Sequence, residues 1–387
     1  MNKIIYLLLF VFLTSSSFAQ WVNLSNGLGA ARIYSVAVNG NNLIAGTEGK
    51  GVYLSKDLGN NWESIGLSSL SIGCVAFNGN TILAGTEGSG IFISSDNGKN
   101  WNNPLPFDMI SCIALGNSKI FAGSFNGLYF STDNGTNWTK SNKMNSSIGN
   151  IITIGNTVIA STAVGIFIST DNGDNWDKSS GGLDGGEYYA LAKSDNKIYT
   201  SSGGKIFLSI DNGDNWTKKN DVKADVIFTL ASYGNNVFAG TLRENVFLST
   251  DNGNNWVKKD NGLTGRTVKS LVISGENIFA GTDAGVFRAK LSDMTSTDVT
   301  ENHDKEINFL ISPNPSKDFI DISIINNEYN FLNNSSTLQI FNTLGESVIA
   351  VGVHCNEPLL QRIDISNLPV GLYFIHIGSL TAMFVKM

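Results

Sequence analysis

A pattern Ser-x-Asp-x-Gly-x-x-Trp occurs six times, at residues 55–62, 94–101, 131–138, 169–176, 209–216 and 249–256, and its tryptophans lie 39, 37, 38, 40 and 40 residues apart. A repeat this regular is one supersecondary unit stacked on copies of itself, since a single unit cannot bury its apolar face alone. Each unit reads as strands. Residues 34–38 form an apolar run, Asn39-Gly40 a turn, a second run ends in Ala45-Gly46-Thr47, a third covers 52–54, and a fourth begins at the tryptophan. Short β-branched and aromatic runs joined by Gly, Asn and Asp turns, with no helical period, predict antiparallel four-stranded meanders. Stacked around an axis, such meanders make an all-β propeller.

The ends of the repeat region set the count. The last unit runs through 271–273, 278–281 and 286–289, then reads Lys290-Leu291-Ser292-Asp293 where the others continue into the motif, so it lacks a fourth strand. At the other end, Trp21-Val22-Asn23-Leu24 sits 41 residues before Trp62 and is similar to Trp256-Val257-Lys258-Lys259, with Asn-Gly-Leu following both. The orphan strand fits the vacancy. The expectation is a seven-bladed propeller over residues 20–291, closed by an N-terminal strand that leaves no exposed edge around the ring.

The flanks and the composition exclude several classes. Residues 1–19 carry Lys3, an apolar run over 4–13 and a small-residue end at Ser17-Phe18-Ala19, the pattern of a cleavable signal peptide. That run is too short for a transmembrane helix, which needs about 20 residues, and no other segment comes close. A net charge of -7 with a pI near 5.0 argues against nucleic acid. Cys74, Cys112 and Cys355 are too few for a disulfide framework and read as buried apolar residues. His303, His354 and His376 all follow the propeller, so its face offers no Ser-His-Asp triad and no histidine metal site. No cofactor and no metal are expected.

The repeated motif resembles the Asp-box, or BNR, repeat over residues 21–291. It is similar to the repeats of sortilin, photosystem II assembly factor, xyloglucanase and sialidase-type propellers. The resemblance is specific for fold and weak for function. Six equivalent aspartates, Asp57, Asp96, Asp133, Asp171, Asp211 and Asp251, read as a scaffold, because catalysis needs one asymmetric constellation. Each carboxylate is placed to accept backbone N–H groups of its hairpin, and the glycine two residues on to take φ > 0. The resemblance puts these boxes on the face away from the binding site.

The opposite face carries the starts of the innermost strands, with Arg32, Tyr34, Tyr188, Tyr189, Phe228, Arg266 and Lys269, and the turns between second and third strands, with Glu48, Glu87, Phe125, Arg243, Glu244 and Asp283. From these, Arg32, Tyr34, Glu48, Glu87, Tyr189, Arg243, Arg266 and Asp283 are the candidate binding residues. Glu48, Glu87 and Asp283 share one offset in blades one, two and seven, which are neighbours in a ring, so a carboxylate cluster is one expectation and plain solubilising charge the other. A protein or glycan ligand is the leading reading. The alternative is a glycoside hydrolase, sialidase-like or otherwise using paired carboxylates. Ala31-Arg32-Ile33-Tyr34 matches the sialidase Phe/Tyr-Arg-Ile-Pro motif only in its Arg-Ile pair, with Arg32, Arg243 and Arg266 as the corresponding arginine triad.

After a polar stretch over 292–308 that reads as a linker, the sequence gives Ser312-Pro313-Asn314-Pro315, Leu344-Gly345 and Leu368-Pro369-Val370-Gly371-Leu372-Tyr373 among alternating apolar strands. These predict a small Ig-like β-sandwich over 309–387. The segment resembles the type A C-terminal sorting domain of the type IX secretion system. That resemblance implies the type IX machinery as a partner and export through the periplasm to the surface of a Gram-negative cell or into the medium.

Overall fold

A computed structural model divides the chain into two compact units, 1–296 and 297–387, each described by itself. It describes residues 20–179 and 181–295 and, further on, 309–312, 315–324, 337–343, 346–352, 360–377 and 380–387. The expected leader, residues 296–308 of the expected linker, Pro313-Asn314, the Leu344-Gly345 turn, His303, His354 and Cys355 lie outside the described residues.

The first unit consists of seven four-stranded antiparallel sheets. Blade one is typical, with strands Ile33–Asn39, Asn42–Thr47, Val52–Ser55 and Glu63–Ser64. The innermost strands of the seven blades are Ile33–Asn39, Ile72–Asn78, Ile110–Leu115, Ile148–Ile154, Leu191–Ser194, Ile227–Tyr233 and Val268–Ser274. Each packs against the next, and the seventh packs against the first. The second strands are buried on both faces, as Leu43, Ile44 and Ala45 show. They therefore read as continuous apolar runs, while the innermost strands alternate.

Blade seven is assembled from both ends of the unit. Val22–Asn23 pairs with Gly285–Lys290 in the register Val22↔Arg288 and Asn23↔Phe287. Two ladder pairs alone are a weak closure. Trp21 adds to it, being 1% exposed and donating its indole N–H to the Lys259 carbonyl of blade six at 2.8 Å. Other box tryptophans reach the preceding blade in the same way: Trp62 to Leu24 at 2.7 Å, Trp101 to Ile65 at 2.8 Å, Trp216 to the Ser179 hydroxyl at 3.0 Å and Trp256 to Asn220 at 3.1 Å. Trp21 is thus a fifth staple of this kind, supplied without a box. Trp138 and Trp176 instead bond the glycine carbonyl of their own box, a bond that Trp216 makes in addition, at 2.9 Å.

Two sequence expectations need correction. A short helix, Leu291–Thr295, follows the last blade strand, so the linker does not begin at 292. Met294, fully buried in the core of blades six and seven, is the cause. Tyr188 does not reach the open face. It is 1% exposed and packs edge-on against Phe207 at 5.9 Å, because it holds the inward position that Ile33 holds in blade one.

The second unit has a three-stranded sheet of Phe309–Ser312, Phe319–Ile324 and Leu360–Asp364, and a four-stranded sheet of Ser347–Gly352, Thr337–Phe341, Gly371–Ile377 and Leu380–Lys386. Ile320 and Ile363 from the first sheet share one core with Leu338, Ile375 and Phe384 from the second. In the Leu-Pro-x-Gly-Leu-Tyr block, the Tyr373 hydroxyl donates back to the Pro369 carbonyl at 2.8 Å and locks the turn. Arg362 makes two 2.7 Å bonds to Asp321 while lying over the Phe319 ring.

Because closure rests on so short a ladder, removing Trp21 should be severe for a single surface-strand residue. Trp21→Ala is expected to cost about 3–5 kcal/mol, the usual range for a buried aromatic. A chain starting at Asn26 should melt lower still or aggregate. Melting temperatures equal to that of a chain starting at Gln20 would remove the closure argument.

Candidate functional site

The two faces of the ring are built by different chemistry. In all six boxes the serine hydroxyl donates to the aspartate at 2.7–2.8 Å and accepts the glycine N–H at 2.8 Å. The aspartate also accepts the backbone N–H and side-chain amide of the asparagine four residues on, for example Asn100 at 2.9 and 2.7 Å. This asparagine stands before the tryptophan in all six copies, as Asn61, Asn100, Asn137, Asn175, Asn215 and Asn255. Its repetition was the signal, and the eight-residue pattern taken from the sequence left it out. The residue before each box glycine is also left-handed, at φ 56–59° from Leu58 to Asn252, so each turn has two successive positive φ values. Asparagine tolerates that conformation best among residues with a side chain.

The boxes dock on the turns between first and second strands: Leu58 N–H donates to Asn41 O, Asn172 to Asn156 O and Asn252 to Asn235 O. That fixes them to one face, and the turns between second and third strands to the other. A shallow groove on the box side, lined by Lys56, Glu63, Ile65, Gly98 and Lys99, is partly closed by the Lys56–Glu63 ion pair at 2.7 Å.

On the opposite face, six innermost strands carry a β-bulge at their second residue. The register skips Tyr34, Gly73, Ser111, Gly149, Phe228 and Lys269. In blade five, Tyr189 stands at the same place, one residue before the pair that Ala190 makes with Ser201. A bulge re-aims its side chain out of the pleat. The seven positions divide into an open arc, Gly73, Ser111 and Gly149, and a filled arc, Tyr189, Phe228, Lys269 and Tyr34. Lys269 joins three blades, its ammonium 4.3 Å from the Tyr34 ring centre and 5.2 Å from that of Phe228.

Tyr34 donates to Glu48 at 2.8 Å, and Arg32 pairs with the same carboxylate at 3.2 Å. Burial pushes the Tyr34 phenol well above its ordinary range, helped by the bond to Glu48 and the nearby charge of Glu87. The bond from Tyr34, with Arg32 beside it, holds Glu48 below the usual carboxylate range. Arg32, Tyr34 and Glu48 are therefore brought together, with Glu87 within electrostatic reach. The other candidates are not part of this cluster. Tyr189 donates to Glu187. Asp283 accepts the Thr267 N–H at 3.2 Å. Arg243 sits at a hairpin tip with φ 70°, and Arg266 offers its carbonyl to Asn245 N–H. Among the described residues, no three His, Cys, Asp or Glu side chains gather closely enough to hold a metal ion. Two of the three carboxylates at one offset, Glu48 and Asp283, are thus drawn into separate local bonds on their own blades, while Glu87 acts on Tyr34 only through its charge. Phe228 and Lys269, left off the sequence shortlist, complete the filled arc.

Comparison with known proteins places both units. Residues 149–271 match the DUF6242 beta propeller domain, and residues 310–386 match the secretion system C-terminal sorting domain. The extracellular domain of BT4673 from B. thetaiotaomicron is similar with a TM-score of 0.60 and 16% identity, over 88% of this chain and 48% of that one. The chain therefore spans about half the length of that relative. YCF48 from Cyanidioschyzon merolae gives 0.57 and 15% over 70% and 98%. YCF48 bound to D1 peptide gives 0.57 and 18% over 71% and 97%. At these identities the likeness shows the fold alone. No curated protein matches the sequence. The chain is a β-propeller followed by a type IX sorting domain, which implies export to the cell surface or beyond.

The boxes generate two predictions. Ser131 is 2% exposed, so Ser131→Ala leaves the buried Gly135 N–H without its acceptor and should cost about 1–3 kcal/mol in denaturant unfolding. The carboxylates of Asp96 and Asp171 are lowered from 3.8 to about 2 by the backbone N–H, then the side-chain amide, of Asn100 and Asn175. A depressed acid stabilises the fold above its unfolded pKa and loses that contribution as pH falls through the folded one. The melting temperature should therefore drop as pH is lowered from 3.8 towards 2. The double variant Asp96→Asn, Asp171→Asn should start lower and show a shallower drop.

Proposed function

We propose that the chain is an exported binding protein whose propeller takes a protein or glycan ligand on the face opposite the Asp-boxes. The observation that carries this reading is the filled arc. Three blades contribute Phe228, Lys269 and Tyr34 to one cation–aromatic contact, while the equivalent positions across the ring are Gly73, Ser111 and Gly149. Six near-identical boxes maintain the scaffold, and variation is concentrated at the other face, which is where a repeat ring gains recognition. A similar propeller, YCF48, is seen bound to D1 peptide, which supports peptide recognition by this kind of ring.

One observation favours a second reading, that of a glycoside hydrolase. Tyr34, Glu48 and Arg32 form a bonded set with an ionised carboxylate, the arrangement of a nucleophile with its base. Against it, Glu48 is committed to both neighbours and the depressed carboxyl is unsuited to serve as the proton donor. A glycan and protein-fragment screen with the mature protein separates the readings. Combined Tyr34→Ala, Glu48→Gln and Lys269→Ala changes should weaken binding about tenfold or more; because Tyr34 and Lys269 are half-buried strand residues, a stability loss of about 1 kcal/mol is expected as well, and affinities are compared well below the variant's melting temperature. Turnover of an aryl glycoside that disappears with Glu48→Gln would establish the hydrolase instead. Unchanged affinity in the triple variant, with binding lost on changing exposed box-face residues, would place the ligand on the other side.

Export is proposed to run in two steps, across the inner membrane under residues 1–19 and across the outer membrane under 309–387. Deleting 309–387 should leave a folded propeller that stops in the periplasm. Recovery of the truncated chain from the medium at the full-length level would sink the two-step route.

A further inference from the structure

Among the described residues, five that are neither glycine nor asparagine take a left-handed backbone: Leu58, Leu67, Phe107, Asp195 and Arg243. Leu58 and Leu67 pack against the cores of blades one and two, so burial offsets their strain. Phe107, at φ 65°, is 89% exposed and has no such compensation. A strained backbone that displays an aromatic ring to solvent is a reason to look for function at that point.

The backbone that carries the ring is anchored at its next residue. Next to it, Asp108 is 6% exposed, accepts the Met109 N–H at 2.8 Å and the Asn126 amide at 3.1 Å, and offers its carbonyl to Gly90 N–H at 2.9 Å. Beside it stand two more exposed apolar side chains, Met109 at 45% and Phe125 at 65%. Phe125 N–H donates to Met109 O, and Met109 pairs with Glu87 through an isolated antiparallel bridge. Scattered exposed hydrophobics need no explanation. Three on one rim, one of them strained, are a patch. Asp108 is turned inward onto its own bonds, and the exposed charge beside the patch is Glu87, which takes part in none of the ion pairs among the described residues.

We infer that this rim, Phe107, Met109 and Phe125 with Glu87 at its edge, docks an extended polypeptide carrying an aromatic or aliphatic side chain beside a lysine or arginine. The inference rests on the reading that this face binds, and it selects a polypeptide as the ligand. Charge complementarity decides the occupant. An apolar side chain covers the three exposed ones, and a cation meets an exposed carboxylate that makes no ion pair among the described residues. A second copy of this chain, with its net charge of -7, and an anionic lipid surface would both bring like charge to Glu87.

The test pans the mature full-length protein against displayed random linear peptides, then measures affinities of the enriched sequences as synthetic peptides. Phe107→Gly removes the ring and suits the backbone, so its melting temperature should equal or exceed that of the parent. Enrichment of Phe, Leu or Met next to Lys or Arg is expected, with about tenfold or greater loss of affinity in Phe107→Gly and in Phe125→Ser. Glu87→Gln should weaken binding several-fold and flatten its salt dependence. Enriched peptides without a basic residue, or affinities unmoved by Phe107→Gly and Phe125→Ser, overturn the inference. Peptide or glycan binding lost only in the Tyr34, Glu48, Lys269 variant removes the rim and leaves the broader reading of this face standing. Binding of neither probe removes both.

Discussion

A four-stranded meander has two faces and can cover neither alone, so each blade depends on a neighbour at both sides. Everything else in the propeller follows from meeting that demand seven times in a closed cycle. The weakest link is where chain ends meet, since Val22–Asn23 offers only two ladder pairs to Gly285–Lys290. The protein compensates with a buried Trp21 whose indole N–H reaches blade six. The same reach recurs at Trp62, Trp101, Trp216 and Trp256. One residue type thus supplies area to bury and a directional bond between sheets, which a purely apolar residue could not do.

The rigidity of one face frees the other. Box turns are fixed by a serine hydroxyl that is almost wholly buried and by a carboxylate whose acceptor sites are taken up by Asn and Ser donors. Such a carboxylate has little capacity left for a ligand. On the opposite face the bulges at the second residue of six innermost strands turn that position out of the pleat, so those positions can vary without disturbing the core. Tyr34, Lys269 and Phe228 use that freedom to meet across blade boundaries, and Gly73 and Gly149 leave room. The neighbouring rim adds Phe107, whose exposure and left-handed backbone no packing explains.

Local chemistry made much of this legible. The period of the Ser-x-Asp-x-Gly-x-x-Trp motif, its glycine and its tryptophan state the blade, because hairpin turns with positive φ and a closing aromatic are dictated by residues a few positions apart. The sorting domain was legible for a similar reason: its Leu-Pro-x-Gly-Leu-Tyr block encodes a turn locked by the hydroxyl of Tyr373 on Pro369. The asparagine before each tryptophan was equally present in the sequence, repeated six times, and its role as the second donor to the carboxylate emerges from its hydrogen bonds.

What tertiary structure alone decided was partnership between blades. Arg32, Tyr34 and Glu48 could be placed on the open face from their offsets, but Lys269 and Phe228 join Tyr34 only because the seventh sheet stands between the sixth and the first. Tyr188 and Tyr189 are adjacent in sequence and similar in chemistry, yet one is core and the other surface, since the strand's inward and extruded positions separate them. Met294 reads as part of a polar linker until blades six and seven provide a pocket for it. Sequence determined the repeat, its turns and the tail, all set by short-range geometry. Which side chains converge, and which are left exposed, depends on the closing of the ring, a long-range fact that no single repeat contains.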